Sequence, residues 1–258
     1  MSRLTDVQRW LSDHELEGIY TSSYWNNLAE EKKKEWWIED GDYDRCRRYL
    51  ERSKLLLEYG EAEIFVRELT GSNLMVADLA AGTGWTSALL SKIDGVAGVH
   101  AVEISRHRLE RLFPHSVSMF EGRPEKIRRY LGSFYDLKLP DRSIDVVFLS
   151  QAFHHADRPI RLMVECDRVL KPGGRVVLVG EHGIGIRRFV KRFLKVLLSE
   201  RRLVTRFDQL FPPDPVLGDH YYRQSDYYFL FSAMGYKAKH HVASTGETIF
   251  VADKSKAA

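Results

Sequence analysis

"ADLAAGTGWTS", residues 77–87, joins a hydrophobic run to the start of a helix through a turn rich in small residues. The run before it, Leu74-Met75-Val76-Ala77, reads as a short buried strand, and the stretch from Trp85 to Ile93 reads as a helix. A strand that breaks on glycines and re-enters as a helix presents unpaired backbone N–H groups at the positive end of a helix dipole. Glycine also lets a ligand approach the main chain more closely than a side chain would allow. This layout suits a nucleotide-like ligand.

Outward from that turn, strands alternate with helices. Further strands are expected in "GVHAVEI" ending near Glu103, within "KIRRYLG", in "SIDVVFLS" and in "RVVLVGE". A helix is expected from Ser105 past Phe113, bent or ended at Pro114. Another, "RPIRLMVECDRVL", stops at "KPGG". After the helix "SDYYFLFSAMGY", the segments "YKAKHHVA" and "TIFVAD" read as a closing antiparallel pair. The alternation predicts an α/β, Rossmann-like, doubly wound sheet of seven strands, mostly parallel with a C-terminal antiparallel strand. Residues 1–70 show no strand-like alternation and predict a helical N-terminal lid, with Asp42 or Asp44 capping a long helix towards Leu69. The main domain then covers 71–258, with 183–224 inserted as a substrate cover.

Bulk properties narrow the class. The 258 residues are 44% hydrophobic and 29% charged, an ordinary globular balance. No window has the apolar length to cross a bilayer, and "MSRLTDVQRWLSDHE" lacks the apolar core of a signal peptide. Cys46 and Cys166 have no metal-ligand spacing and read as reduced, partly buried thiols. A cytoplasmic protein is expected, and a net charge of +3 gives no reason to expect a nucleic-acid partner.

The ligand class follows from two acids. Glu103 ends the second strand about 20 residues after the glycine turn, where a carboxylate accepts hydrogen bonds from ribose hydroxyls. The alternative is a solvated strand-end charge. A dinucleotide site would carry a third glycine, which is missing here. Asp78 inside the turn would repel a pyrophosphate but suits a cationic α-amino ligand such as a sulfonium amino acid.

At these residues the sequence resembles the class I S-adenosylmethionine-dependent methyltransferases, in particular the type 11 group that includes the quinone methyltransferases. The resemblance rests on "ADLAAGTG", "VEIS", "GSFYDLKLPDRSIDVVFLSQAFHH" and "ECDRVLKPGGRVVLVGE", and covers about Leu74 to Glu181 plus the closing helix and hairpin. It implies S-adenosyl-L-methionine as cofactor, with Asp78, Ala80, Gly82, Gly84 and Trp85 lining its methionine end, Glu103 and Ile104 its ribose. Ser133 and Phe134 stand where the family usually carries an adenine-binding aspartate, and Asp136 is either a substitute for it or a turn residue. Ser150, which opens the segment after strand four where family members place substrate-facing residues, is likewise expected to bind the cofactor.

The expected activity is methylation of a small molecule, most often at oxygen, and catalysis of this kind is mainly alignment of acceptor and methyl group. His154, His155 and His182 are candidates for a general base, against the alternative of histidines bonded to nearby carbonyls. Glu181 shares their sheet edge and is expected to line the acceptor pocket, and no ligand spacing supports a metal. Tyr24, in the aromatic N-terminal segment with Trp25, Trp36 and Trp37, together with His220 and Tyr221 from a proline-rich loop, is expected to line the acceptor pocket.

Within the insert, Ile186, Phe189, Val190, Phe193, Leu194, Leu197 and Leu198 recur at helical spacing. The expectation is that this face packs over the sheet's carboxyl edge as a lid, with the basic residues outward and little affinity for vesicles. Peripheral membrane contact through 186–206 is the alternative. Two rival functions remain: an RNA methyltransferase, for which no base-stacking motif is present, and a non-catalytic cofactor-binding scaffold.

Overall fold

Short, β-branched apolar runs can be near-continuous only if both faces of their sheet are covered. That is what the computed structural model shows, and it describes residues 4–20, 42–69, 71, 73–181, 183–214 and 218–255. Tyr24, Trp25, Trp36, Trp37 and His182 lie outside these residues.

The chain begins with β1 (Gln8–Arg9) and α1 (Asp13–Tyr20), followed by α2 (Asp44–Arg52) and α3 (Leu55–Arg67). The alternating part runs β2 (Leu74–Leu79), α4 (Trp85–Ser91), β3 (Val96–Glu103), α5 (Phe113–Met119), β4 (Ile127–Leu131), β5 (Ile144–Ser150), α6 (Pro159–Val169) and β6 (Leu170–Glu181). The insert holds β7 (Gly183–Ile184), α7 (Ile186–Glu200), α8 (Phe207–Leu210) and β8 (Tyr222–Arg223). The chain closes with α9 (Gln224–Ala233), β9 (Tyr236–Val242) and β10 (Thr248–Lys254).

The main sheet has the order β1-β4-β3-β2-β5-β6-β10-β9, parallel except where β10 pairs antiparallel with β6 and β9. Strand order reverses between β2 and β5, which sets the binding crevice at the carboxyl ends of those two strands. Alternate side chains feed separate cores. Val76, Val146, Phe148, Val177 and Val179 pack with α3, α4 and α5. Ala77, Val147, Leu149, Val176 and Leu178 pack with α6 and α9. Arg175, nearly buried, bonds Asp253 at 2.5 Å, Glu68 at 3.0 Å and the Phe65 carbonyl at 2.7 Å, tying α3 to β6 and β10.

Four expectations need correction. The main sheet has eight strands, not seven, because the segment read as wholly helical contributes β1. Its two residues pair with Tyr130 and Leu131, the Trp10 N–H donates to the Leu131 carbonyl at 3.0 Å, and the Trp10 ring stacks on Tyr130 at 4.3 Å. So short a strand carries no periodic signal and is fixed by its partner alone. The long helix towards Leu69 is two helices, broken at Lys54, whose φ of 63° is left-handed. Asp42 pairs with Arg48 at 3.1 Å instead of capping α2. Strand five starts at Leu170, before the "KPGG" turn, rather than after it.

The fourth correction concerns α7. Only Val196 of this helix is buried, and Phe189 and Phe193 pack beside it with Val204, Leu210 and Phe211 in a small cluster separate from both main cores. Ile186, Val190, Leu194 and Leu198 stay 74, 43, 45 and 77% exposed. The apolar face is therefore split, and only one half of it is covered.

Pro114 sits in the first turn of α5, directly after a wide π-turn over Arg108–Leu112. A missing N–H and a bulky ring are tolerated there, where the helical ladder is already interrupted. Gly84 has φ 84° and caps α4 with the Phe113 ring against it, so that an added Cβ would lie 2.4 Å from Cδ2. Gly84→Ala is expected to cost about 3 kcal/mol from overpacking and left-handed strain together, read as a lower urea midpoint.

Candidate functional site

The turn between β2 and α4 is held in shape by left-handed residues: Ala80 at φ 52°, Gly82 at 56° and Gly84 at 84°. Ala80 takes the place of a glycine at a strained angle, which costs about 1–2 kcal/mol. Two buried acids hold the turn in place. Glu103, at the end of β3, accepts the Gly82 N–H at 2.8 Å with one oxygen and the Ser105 N–H at 2.9 Å with the other. A carboxylate oxygen has two lone pairs, so each keeps capacity for a ligand hydroxyl.

Asp78 is turned inward. Its Oδ2 accepts from the Thr86 and Ser87 hydroxyls at 2.7 and 2.5 Å, on the first turn of α4. Full burial, only partly offset by these hydroxyls, raises its pKa to about 6. Asp78 therefore shapes the turn and its field rather than presenting a carboxylate to solvent.

Trp85 is buried at the start of α4, its edge towards Tyr59 at 5.8 Å. Ile104 follows Glu103 at the strand end, half-buried. Ser133 is half-buried and its Oγ accepts the Tyr135 N–H at 3.2 Å, while Phe134 lies edge-on to Tyr135 at 4.6 Å. Asp136 is exposed and paired with Lys138 at 2.5 Å, the arrangement of a turn residue.

At the end of β5, Ser150 Oγ is buried with no hydrogen-bond partner among the described residues. The same holds for the hydroxyl of Tyr59, whose ring α3 places 5.8 Å from the Phe148 ring, centre to centre. Gln151, next in the chain, has φ 49° and accepts from the Tyr49 hydroxyl at 3.3 Å. Tyr49, Tyr59 and Gln151 carry no signal in the sequence, because the residues they meet at this edge lie far away in the chain.

A second corner forms at the ends of β5 and β6. Glu181 is fully buried and accepts the backbone N–H groups of Ala152, Phe153 and His154 at 3.0, 2.9 and 3.1 Å, and bonds His154 Nδ1 at 2.9 Å. Burial would raise its pKa, but the His154 ring and the backbone donors outweigh that and hold it below the usual carboxylate value. Burial likewise works against a His154 charge, yet Glu181 and Asp219 together raise its pKa. Glu181, expected to line the acceptor pocket, is instead the internal support of the 152–155 turn. His154 is correspondingly committed through Nδ1.

The return loop of the insert completes this corner. The His220 N–H donates to the His154 carbonyl at 2.7 Å, and the Tyr222 hydroxyl donates to the Ala156 carbonyl at 2.6 Å. Asp219 Oδ1 lies 3.2 Å from His155 Nδ1 and 3.9 Å from His154 Nε2. His154, His155 and Asp219 place one ligating atom each within 4.8 Å of one another, a set able to hold a metal ion, which the sequence reading did not anticipate. Tyr221 is half-buried beside Phe211 at 6.2 Å. Asp219 is the functional candidate the sequence hid, inside "LGDHYY" and distant from the histidines it meets.

With this geometry in view, residues 77–178 match the family model described as "Methyltransferase domain". Over this stretch the chain is similar to methyltransferase domains. Over 120 residues the chain is 34% identical to malonyl-[acyl-carrier protein] O-methyltransferase of Methylococcus capsulatus, covering 46% of this chain and 42% of that one. Over 102 residues it is 34% identical to sarcosine/dimethylglycine N-methyltransferase of Aphanothece halophytica, covering 40% and 36%. The chain thus spans about two-fifths of these relatives. The fold is shared with an S-adenosylmethionine-dependent methyltransferase from Aquifex aeolicus, at a TM-score of 0.54 and 18% identity, over 82% of this chain and 97% of that one.

The residues present fit S-adenosylmethionine, the cofactor that the resemblance implies. The Glu103 carboxylate at the switch point, the turn of small residues and the Ser150 hydroxyl, without a partner among the described residues, offer the acceptors and close backbone approach that a nucleoside with a sulfonium amino acid needs.

Two outcomes follow from the buried acids. Because the folded pKa of Asp78 exceeds its unfolded value near 4, the native state binds the extra proton between about pH 4 and 6, and stability falls as pH rises through that window. Asp78→Asn should flatten this part of the stability–pH curve, by up to about 3 kcal/mol, in thermal denaturation across pH. Glu181→Gln weakens a buried ion pair and should lower unfolding free energy by about 3–5 kcal/mol in denaturant titration.

Proposed function

We propose that the protein transfers the methyl group of S-adenosylmethionine to a small-molecule acceptor, at an oxygen. The observation that carries this reading is the bond from Gly82 N–H to the Glu103 carboxylate, which joins the glycine turn to the acid of the neighbouring strand at the switch point. When bound, the cofactor supplies an electrophilic methyl on a sulfonium. The chain's own residues bind, orient and accept a proton.

Glu103 would receive the ribose hydroxyls, Ser133 and the Phe134 backbone the adenine, and Ser150 the methionine end. The acceptor would enter at the corner of His155, Asp219, His220 and Tyr221. Support for His155 as the base comes from its pairing: Asp219 lies 3.2 Å from Nδ1, as a carboxylate does when it orients an imidazole for proton transfer. His154 is the poorer base, since Glu181 occupies its Nδ1 and both neighbouring carboxylates favour its charged form. Relatives whose names specify an oxygen and a nitrogen acceptor bracket the chemistry, and an oriented histidine that removes a hydroxyl proton favours oxygen.

Titration calorimetry should show binding of S-adenosylmethionine and S-adenosylhomocysteine and none of nicotinamide dinucleotides. Glu103→Ala should weaken the first two about tenfold or more, because hydrogen bonds to a charged acceptor are worth about 1.5–3 kcal/mol each. With labelled cofactor and extract fractions as acceptor source, His155→Ala should bind cofactor normally and lose turnover about a hundredfold or more. Unchanged turnover would remove His155 from the reaction.

A further inference from the structure

The uncovered half of α7 has two stripes side by side. Ile186, Val190, Leu194 and Leu198 follow one another at intervals of four, forming an exposed apolar ridge along a helix about 22 Å long. Arg187, Lys191 and Lys195 run beside them at the same interval, all exposed, and Arg201, Arg202 and the exposed Leu203 continue the pattern past the helix end. None of these five cations forms an ion pair among the described residues, whereas Arg188 is bonded to Glu247 at 2.6 Å, Arg192 to the Leu210 carbonyl at 3.2 Å and Arg206 to Asp208 at 2.6 Å. The opposite side, through Phe189, Phe193 and Val196, anchors the helix to its own small cluster.

We propose that this face docks on an anionic lipid surface. An exposed ridge of branched side chains suits a deformable boundary of acyl chains, while the adjacent cations, unpaired among the described residues, match the charge of lipid phosphates. A helix that buried the ridge intramolecularly would need no second stripe of unpartnered charge. No helix among the described residues is long and apolar enough to cross a membrane, so the contact is one of lying on the surface. The insert that carries α7 also supplies Asp219, His220 and Tyr221, so docking would bring the acceptor corner's own loop towards the lipid. The inference concerns partition to lipid and does not depend on the proposed reaction.

Sedimentation of the full chain with vesicles tests it, using equimolar phosphatidylglycerol and phosphatidylcholine against phosphatidylcholine alone. Binding should require the anionic lipid and weaken steeply as salt is raised, because exposed charges are screened. Arg187→Glu, Lys191→Glu and Lys195→Glu together should lower partition about a hundredfold, at roughly fivefold per lost cation. Val190→Gln, Leu194→Gln and Leu198→Gln together should abolish it while leaving charge, circular dichroism and affinity for S-adenosylhomocysteine unchanged. No sedimentation with anionic vesicles, or equal sedimentation with neutral ones, overturns the proposal. So does concentration-dependent self-association that the glutamine variant removes, which would assign the face to a second copy. Saturable binding of an acidic carrier protein in place of vesicles would equally overturn it.

Discussion

One hydrogen bond, 2.8 Å from the Gly82 N–H to the Glu103 carboxylate, fixes the turn on which the site depends. It spans two neighbouring parallel strands and holds a loop whose backbone passes through the left-handed region at Ala80, Gly82 and Gly84. Without an external tie, such a loop would relax towards less strained angles. With it, α4 begins beside the end of β2, where Asp78 takes up the Thr86 and Ser87 hydroxyls. A buried carboxylate is costly unless donors satisfy it, and the donors here are the backbone and hydroxyls of the turn itself.

Glu181 repeats the arrangement on the other side of the switch point. It ends β6 as Glu103 ends β3, and it gathers three backbone N–H groups and one imidazole from the turn after β5. The carboxyl edge of the sheet is thus organised by two acids, each shaping a turn that belongs to another strand. A site that relies on alignment more than on reactive groups benefits from turns whose geometry is set before a ligand arrives. The return loop of the insert then settles on the second turn through the His220 N–H and the Tyr222 hydroxyl.

Much of this was legible along the chain. The strands at 74–79, 96–103 and 144–150, the closing hairpin and the glycine turn all declare themselves through local periodicity and punctuation. Glu103 was legible because its spacing from the turn reflects a fixed crossover length. Glu181 was legible as an acid at the right edge, but not as a buried acceptor of four donors, since the donors lie nearly 30 residues earlier. The histidine corner shows the same limit: His154 and His155 stand out in the sequence, while Asp219 gains meaning only when the loop returns.

By itself, then, the sequence determined the doubly wound architecture and the glycine turn with an acid at the end of the next strand, because these follow from local periods and spacings. The tertiary structure alone decided the eighth strand, the break at Lys54, the inward turn of Asp78 and the exposure of half of α7. A two-residue strand has no period, a left-handed lysine has no composition signal, and a helix has the same apolar residues whether or not something covers them. What covers a face is set by the packing of elements distant in the chain, and that packing left the ridge of Ile186, Val190, Leu194 and Leu198 exposed.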